Sequence, residues 1–142
     1  MDQSLFSWEP DPQSGIRQRF VRANGIDFEL AEAGDAGSRK LALCLHGFPE
    51  LNYSWRFQMP LLADQGWRVW APNLRGYGAT SRPEGVRSYG LDHLTDDVGA
   101  LVLANNYDQT GALSLAQTSA VADLDSHERF IQRLEATGKL SR

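Results

Sequence analysis

His46, Gly47, Phe48 and Pro49 form a turn directly after the apolar run Leu41-Ala42-Leu43-Cys44-Leu45. A short apolar run closed by a turn reads as a buried strand. Gly47 lets the backbone approach a ligand where a Cβ would stand in the way. The N–H of Phe48 is then a free donor at the strand end, able to hold the negative oxygen of an acyl- or alkyl-enzyme transition state. A plain strand-to-loop turn uses the same dipeptide, so the surrounding pattern has to decide between the two.

The other groups capable of chemistry are sparse. The three histidines are His46, His93 and His127. His46 belongs to the turn itself, His93 falls on the polar side of an expected helix, and His127 sits in a helical first turn, where a solvated side chain is the simpler reading. None is placed as a general base, so no catalytic residue, cofactor site or metal site is assigned. Asp108 is the one candidate nucleophile, if Leu101 to Ala112 is drawn as strand, elbow and helix. That drawing puts Asn106 and Thr110 where Cβ atoms clash in a strained elbow, and Asp108 fits better as a helix residue.

Several elements must position the turn. Phe20 and Arg22 lead through Asn24-Gly25, the preferred pair for a two-residue hairpin, into Ile26, Phe28 and Leu30. After the turn, Ser54 to Gly66 reads as a short helix with Gly66 as its C-terminal stop. Trp67 to Ala71 is a second apolar strand, running into the glycine-punctuated loop Pro72-Asn73-Leu74-Arg75-Gly76-Tyr77-Gly78-Ala79-Thr80-Ser81-Arg82-Pro83. Strand, helix and strand with short connections is a parallel crossover, which makes this an α/β chain. Ligands are expected beyond the carboxyl ends of such strands, so Phe48 and the loop from Arg75 to Ser81 should converge there. Leu91, Leu94, Val98, Leu101 and Val102 then mark a helix whose early Asp92, Asp96 and Asp97 suit the helix dipole.

HGFPE, SWRFQ and NLRGYGATSRP, in this order and spacing, resemble the α/β-hydrolase superfamily and its epoxide hydrolase branch from about Gln18 to Leu103. The resemblance implies that Phe48 supplies one oxyanion-hole N–H, that Phe48-Pro49 is a cis peptide, and that a small apolar epoxide or ester-like molecule is the ligand. Many relatives have Asp where Asn73 stands, a departure expected to alter loop hydrogen bonding more than chemistry. The superfamily nucleophile sits in G-x-S-x-G, or with Asp for Ser in this branch. Neither pattern occurs among the 142 residues. The expected fold is therefore a truncated α/β-hydrolase, a hairpin plus a parallel βαβ unit followed by C-terminal helices, without turnover of its own.

Composition changes after Ala104: the four Trp, six Pro and single Cys all lie before Asn105. The later segment is helical by composition, with a capping box at Asp125-Ser126-His127-Glu128, then Phe130, Ile131, Leu134 and a stop at Gly138. From about residue 94 to 142 the chain resembles the C-terminal region of large bacterial NAD-specific glutamate dehydrogenases. The two resemblances overlap in Leu94 to Val102, so the chain reads as a chimera joined in that helix. The tail has no glycine-rich dinucleotide fingerprint. The expected organisation is a flexible arm over 1–15, a partial hydrolase domain over 16–104 and a helical tail over 105–142. Alternative functions are a non-catalytic interaction module and a segment of a glutamate dehydrogenase.

A net charge of −4 with 42% hydrophobic residues points to neither nucleic acid nor a membrane partner. One cysteine precludes an internal disulfide and fits a reducing, cytoplasmic setting. A parallel strand left at an open sheet edge presents unpaired N–H and C=O groups that recruit partners, and grafted helices cannot complete its ladder. Leu113, Leu115, Val121, Phe130, Ile131 and Leu134 can cover a sheet face but not an edge. Self-association or marginal stability is the expected outcome, the first seen as a sedimentation coefficient that rises with protein concentration. A monodisperse monomer at high concentration with a sharp, reversible thermal transition would count against it.

Overall fold

A computed structural model describes residues 12–110. Four strands form one mixed sheet: β1 (Arg17–Ala23), β2 (Ile26–Ala33), β3 (Leu41–Leu43) and β4 (Arg68–Pro72), in the order β1-β2-β4-β3. Two helices accompany it, α1 (Gln58–Asp64) and α2 (Leu91–Thr110), with 3₁₀ turns at Pro12–Ser14, Asn52–Trp55 and Val86–Tyr89. β1 and β2 pair antiparallel with Ala23 opposite Ile26. Asn24 (φ 52°) and Gly25 (φ 70°) both take left-handed backbone, as the expected two-residue turn requires. β2 meets β4 antiparallel, and β3 meets β4 parallel, so the crossover through α1 is present.

Local differences from the sequence reading have physical causes. The β3 ladder is shorter than Leu41 to Leu45. Cys44 adds one more bond, its N–H to the Trp70 carbonyl at 2.8 Å, before the chain leaves the sheet. The second parallel strand lies one residue later than Trp67 to Ala71, because Trp67 is spent on closing α1. Its N–H reaches the Leu62 carbonyl while that of Gly66 (φ 86°) reaches Ala63, the paired bonds of a glycine-terminated helix. The helix expected over Ser54 to Gly66 is split into a 3₁₀ turn and α1, with Pro60 in the first turn of α1, where no N–H is needed. α2 begins at Leu91 as read, but Leu91 is exposed, and the face it turns to the sheet is Asp97, Ala100 and Leu101. α2 runs without a break across the change in composition at 104/105, and its backbone is helical at Asp108.

The sheet separates two cores. On the α1 side, Ala31, Ala33, Cys44, Val69 and Ala71 pack with Met59 and Ile16. On the α2 side, Ala23, Ile26 and Phe28 pack with Ala100 and Leu101. The α2 side also buries charge. Arg68 donates from Nε and Nη2 to Glu32 Oε2, Trp70 Nε1–H donates to the same oxygen, and Arg68 Nη1 donates to Asn105 Oδ1 at 3.0 Å, tying α2 to β4. No helix among the described residues is long and apolar enough to cross a membrane. His127, the Asp125 capping box and the tail residues Leu113 to Leu134 lie outside the described residues, as does most of the N-terminal arm.

Burial works against the charged form of Glu32, but the Trp70 hydrogen bond and the guanidinium groups of Arg68 and Arg19 outweigh it and hold the carboxyl below its ordinary value. A carboxylate whose folded pKa is depressed stabilises the fold above its unfolded pKa, and that contribution is lost as pH falls through the folded value. E32Q should therefore unfold with a shallower acid limb below about pH 5. At neutral pH it should be less stable by on the order of 3 kcal/mol, since Arg68 would keep a buried charge without its partner. Urea melts from pH 3 to 7 test this, and parallel wild-type and E32Q acid limbs would contradict it.

Candidate active site

The two loops that leave β3 and β4 lie at the same end of the sheet and are bonded to each other. Between them stands His46, 5% exposed. Its Nδ1 lies 2.9 Å from the Gly47 carbonyl and its Nε2 lies 3.0 Å from the Leu74 N–H. A carbonyl only accepts and an amide N–H only donates, so Nδ1 carries the proton and Nε2 is the acceptor. The imidazole is therefore a neutral brace between the loops, with both nitrogens engaged. The Tyr77 ring meets it edge-on, with centroids 4.7 Å apart and planes at 69°. The two loops thus meet at the carboxyl ends of β3 and β4 as expected, through His46 with Leu74 and Tyr77.

Within the first loop, Glu50 folds back on the turn. Its N–H donates to the Gly47 carbonyl at 3.0 Å, and its Oε2 accepts the Gly47 N–H at 3.3 Å. The Phe48 N–H is the next donor along, and it has no acceptor among the described residues. The Phe48 side chain is 87% exposed and the Phe48-Pro49 peptide is cis, as the resemblance implied. His46, Gly47, Phe48 and Pro49 thus form one turn in which His46 and Gly47 are consumed structurally and Phe48 is left as the available donor.

The second loop is held from three directions. Arg75, 5% exposed, forks onto Asp97 of α2, with Nε to Oδ2 and Nη2 to Oδ1 both at 2.6 Å, and its Nη1 caps the Ser88 carbonyl. Asn24 of the hairpin donates to Asp97 Oδ1 at 2.8 Å, so hairpin, loop and helix share one carboxylate. Gly76 and Gly78 are required by close approach as well as by positive φ. A Cβ at 76 would lie 2.8 Å from the Tyr89 ring, and one at 78 would lie 2.4 Å from Asn73 Nδ2. Asn73 is fully buried and takes part in the loop's hydrogen bonding, accepting the Asn52 N–H and donating to Glu29.

The structural roles of Asp97, Glu29 and Asn52 escaped the sequence reading. Asp97 was read as a dipole-compensating residue near a helix start, whereas it is buried against Arg75. Glu29 had a visible signal: an acid at a position that alternates with Ala31 and Ala33 on the inward face of β2. A buried acid in that register demands donors, and the glycine loop is where they lie. His93 is only partly buried, 4.0 Å from Asp92, with no link to this site. Among the described residues no cluster of three His, Cys, Asp or Glu side chains is arranged to hold a metal.

Comparison with known proteins bears on the fold and the family. The family model described as alpha/beta hydrolase fold matches residues 41–113, half of the chain, and the chain belongs to that family. It is 51% identical over 49 residues to Epoxide hydrolase A of Mycobacterium tuberculosis, a match covering 34% of this chain and 15% of that protein. It is 44% identical over 52 residues to the AB hydrolase superfamily protein YfhM of Bacillus subtilis, covering 37% of this chain and 18% of that one. Among solved structures it resembles epoxide hydrolase VrEH1 from Vigna radiata, with TM-score 0.58, 48% identity, and 62% of this chain set against 26% of that one. Epoxide Hydrolase A from Mycobacterium thermoresistibile aligns with TM-score 0.58 and 43% identity, over 68% of this chain and 28% of its own. The match spans less than a fifth of the curated relatives and little more than a quarter of the solved ones.

Replacing His46 by Phe keeps an aromatic ring against Tyr77 but removes the acceptor for the Leu74 N–H. H46F should lose about 1–3 kcal/mol in a urea melt, the cost of a buried donor left unsatisfied. Unchanged stability, with the Leu74 amide still protected from exchange, would remove His46 from this role.

Proposed function

We propose that the turn from His46 to Pro49 presents the Phe48 N–H as one donor of an oxyanion hole in a site of epoxide hydrolase type. The ligand is a small apolar epoxide or ester-like molecule. The free Phe48 N–H beside a rigidly braced loop is the observation that carries this reading. A donor fixed before the reaction stabilises charge as it develops, because no reorganisation is needed at that moment. The oxygen it serves is the one that becomes negative when water attacks an ester carbonyl, including the ester formed when a carboxylate opens an epoxide. The names of the epoxide hydrolase relatives support the ligand class.

One oxyanion donor is worth about 3–4 kcal/mol of transition-state stabilisation and supplies neither nucleophile nor base. The 142 residues hold no G-x-S-x-G or G-x-D-x-G, and both nitrogens of His46 are occupied. The 142-residue chain by itself therefore binds without turning over. Titrating the isotope-labelled chain with a phenyl-substituted epoxide should shift the amide resonances of Phe48 and of residues 76–81, while diol appears no faster than in buffer. Diol formation above the buffer rate would overturn the inactivity. Saturating epoxide that leaves Phe48 unmoved would overturn the donor assignment and favour a non-catalytic module.

A further inference from the structure

Behind the donor turn, on the α1 side of the sheet, a buried polar chain runs from one loop to the other. Asn52, which follows the turn, donates its N–H to Asn73 Oδ1 at 2.8 Å. Asn73 Nδ2 donates to Glu29 Oε2 at 2.8 Å, and the same carboxylate oxygen accepts the Ala79 N–H at 2.7 Å. Thr80 closes the circuit: its hydroxyl donates to the Asn73 carbonyl at 2.6 Å and accepts the Glu29 N–H at 3.0 Å. Gln18 Nε2 donates to the other Glu29 oxygen. Glu29, Asn52, Asn73 and Thr80 are each at most 2% exposed, so no member can exchange its partner for water without opening the loops.

We propose that Glu29 and Asn73 act together as positioning residues that set the separation between the Phe48 donor turn and the 76–81 loop, an inference resting on the site reading above. The argument is one of donor and acceptor count. Asn73 sits between a backbone N–H, which needs an acceptor, and a carboxylate, which needs a donor. One amide side chain meets both demands. Asp at 73 would still accept from Asn52 but would set oxygen against oxygen at Glu29, and Leu would meet neither demand. Gly78 shows how tightly the loop is gauged by the pair, since a Cβ there would lie 2.4 Å from Asn73 Nδ2 and 2.5 Å from Glu29 Oε2.

Amide exchange and resonance positions on the unliganded chain test this independently of any epoxide. In N73D the Asn52 and Ala79 amides should exchange about tenfold faster or more, and the Phe48 resonance should move, because a buried repulsion opens the circuit. E29Q alone keeps an acceptor oxygen for Asn73 and Ala79, and its new amide nitrogen is met once the Gln18 amide turns its oxygen toward it, so E29Q should change little. In E29Q/N73D the new amide at 29 donates to the carboxylate at 73, so the Asn52 amide and the Phe48 resonance should return most of the way to wild type, while the Ala79 amide, whose acceptor oxygen has become a nitrogen, should stay fast. A double variant no better than N73D alone would overturn the proposal, as would N73D indistinguishable from wild type. If N73D does not fold, the wild-type chain decides. After correction for intrinsic rates, its Asn52 and Ala79 amides should share one opening equilibrium and agree within a factor of about three. Protections differing tenfold or more would show two independent loops.

Discussion

The bond from the Leu74 N–H to His46 Nε2 is the constraint on which the site depends. β3 and β4 are parallel neighbours, so their carboxyl ends fall together, yet a strand end only delivers its loop to a region. Bringing the two loops into contact requires a group able to accept from one backbone and donate to the other across the gap. Neutral imidazole is one of the few side chains with both capacities at opposite corners of a rigid ring. With the ring fixed by Gly47 on one side and Leu74 on the other, the turn that follows is tied to the second loop, and the Phe48 N–H has no acceptor among the described residues.

The supports around this contact show how charge is handled in a thin structure. Each face of the sheet carries one helix and, on β2, one buried acid. On the α2 side Glu32 is met by Arg68 and by the Trp70 indole, and α2 is pulled in through Asn105. On the α1 side Glu29 is met by amides, Gln18, Asn73 and the Ala79 N–H. Removing one partner from either cluster leaves a desolvated polar group, which costs more than the complete interaction contributes. Arg75 and Asp97 extend the same logic to the hairpin tip, where Asn24 joins them. Polar groups thus define how hairpin, loops and helix stand relative to one another, while the apolar residues supply bulk burial.

Much of the scaffold could be read from residues with strong local preferences. Asn24-Gly25 specified the hairpin turn, Gly66 ended α1, and the two apolar runs separated by a short helix implied parallel pairing. The bend after β3 was legible because Gly47 and Pro49 bracket Phe48, and the Phe48-Pro49 peptide is cis as the resemblance implied. What could not be read were the long-range polar pairings. Arg75 with Asp97 and Glu29 with Asn73 are 22 and 44 positions apart, and nothing in local periodicity says which buried charge will find which partner. Asp97 was misread because a helix start accounts for an acid just as well as a buried arginine does. Leu91 was expected on the apolar face from its spacing, but the helix turns smaller Ala100 and charged Asp97 inward because Arg75 must be met there.

The most direct measurement of the central contact is the protonation pattern of His46 by nitrogen NMR, together with the coupling transmitted through its hydrogen bond. A proton on Nδ1, a bare Nε2 and a scalar coupling between Nε2 and the Leu74 amide nitrogen are the predicted result. A proton on Nε2, or no coupling to Leu74 in the folded chain, would contradict the brace and with it the account of why Phe48 is left free.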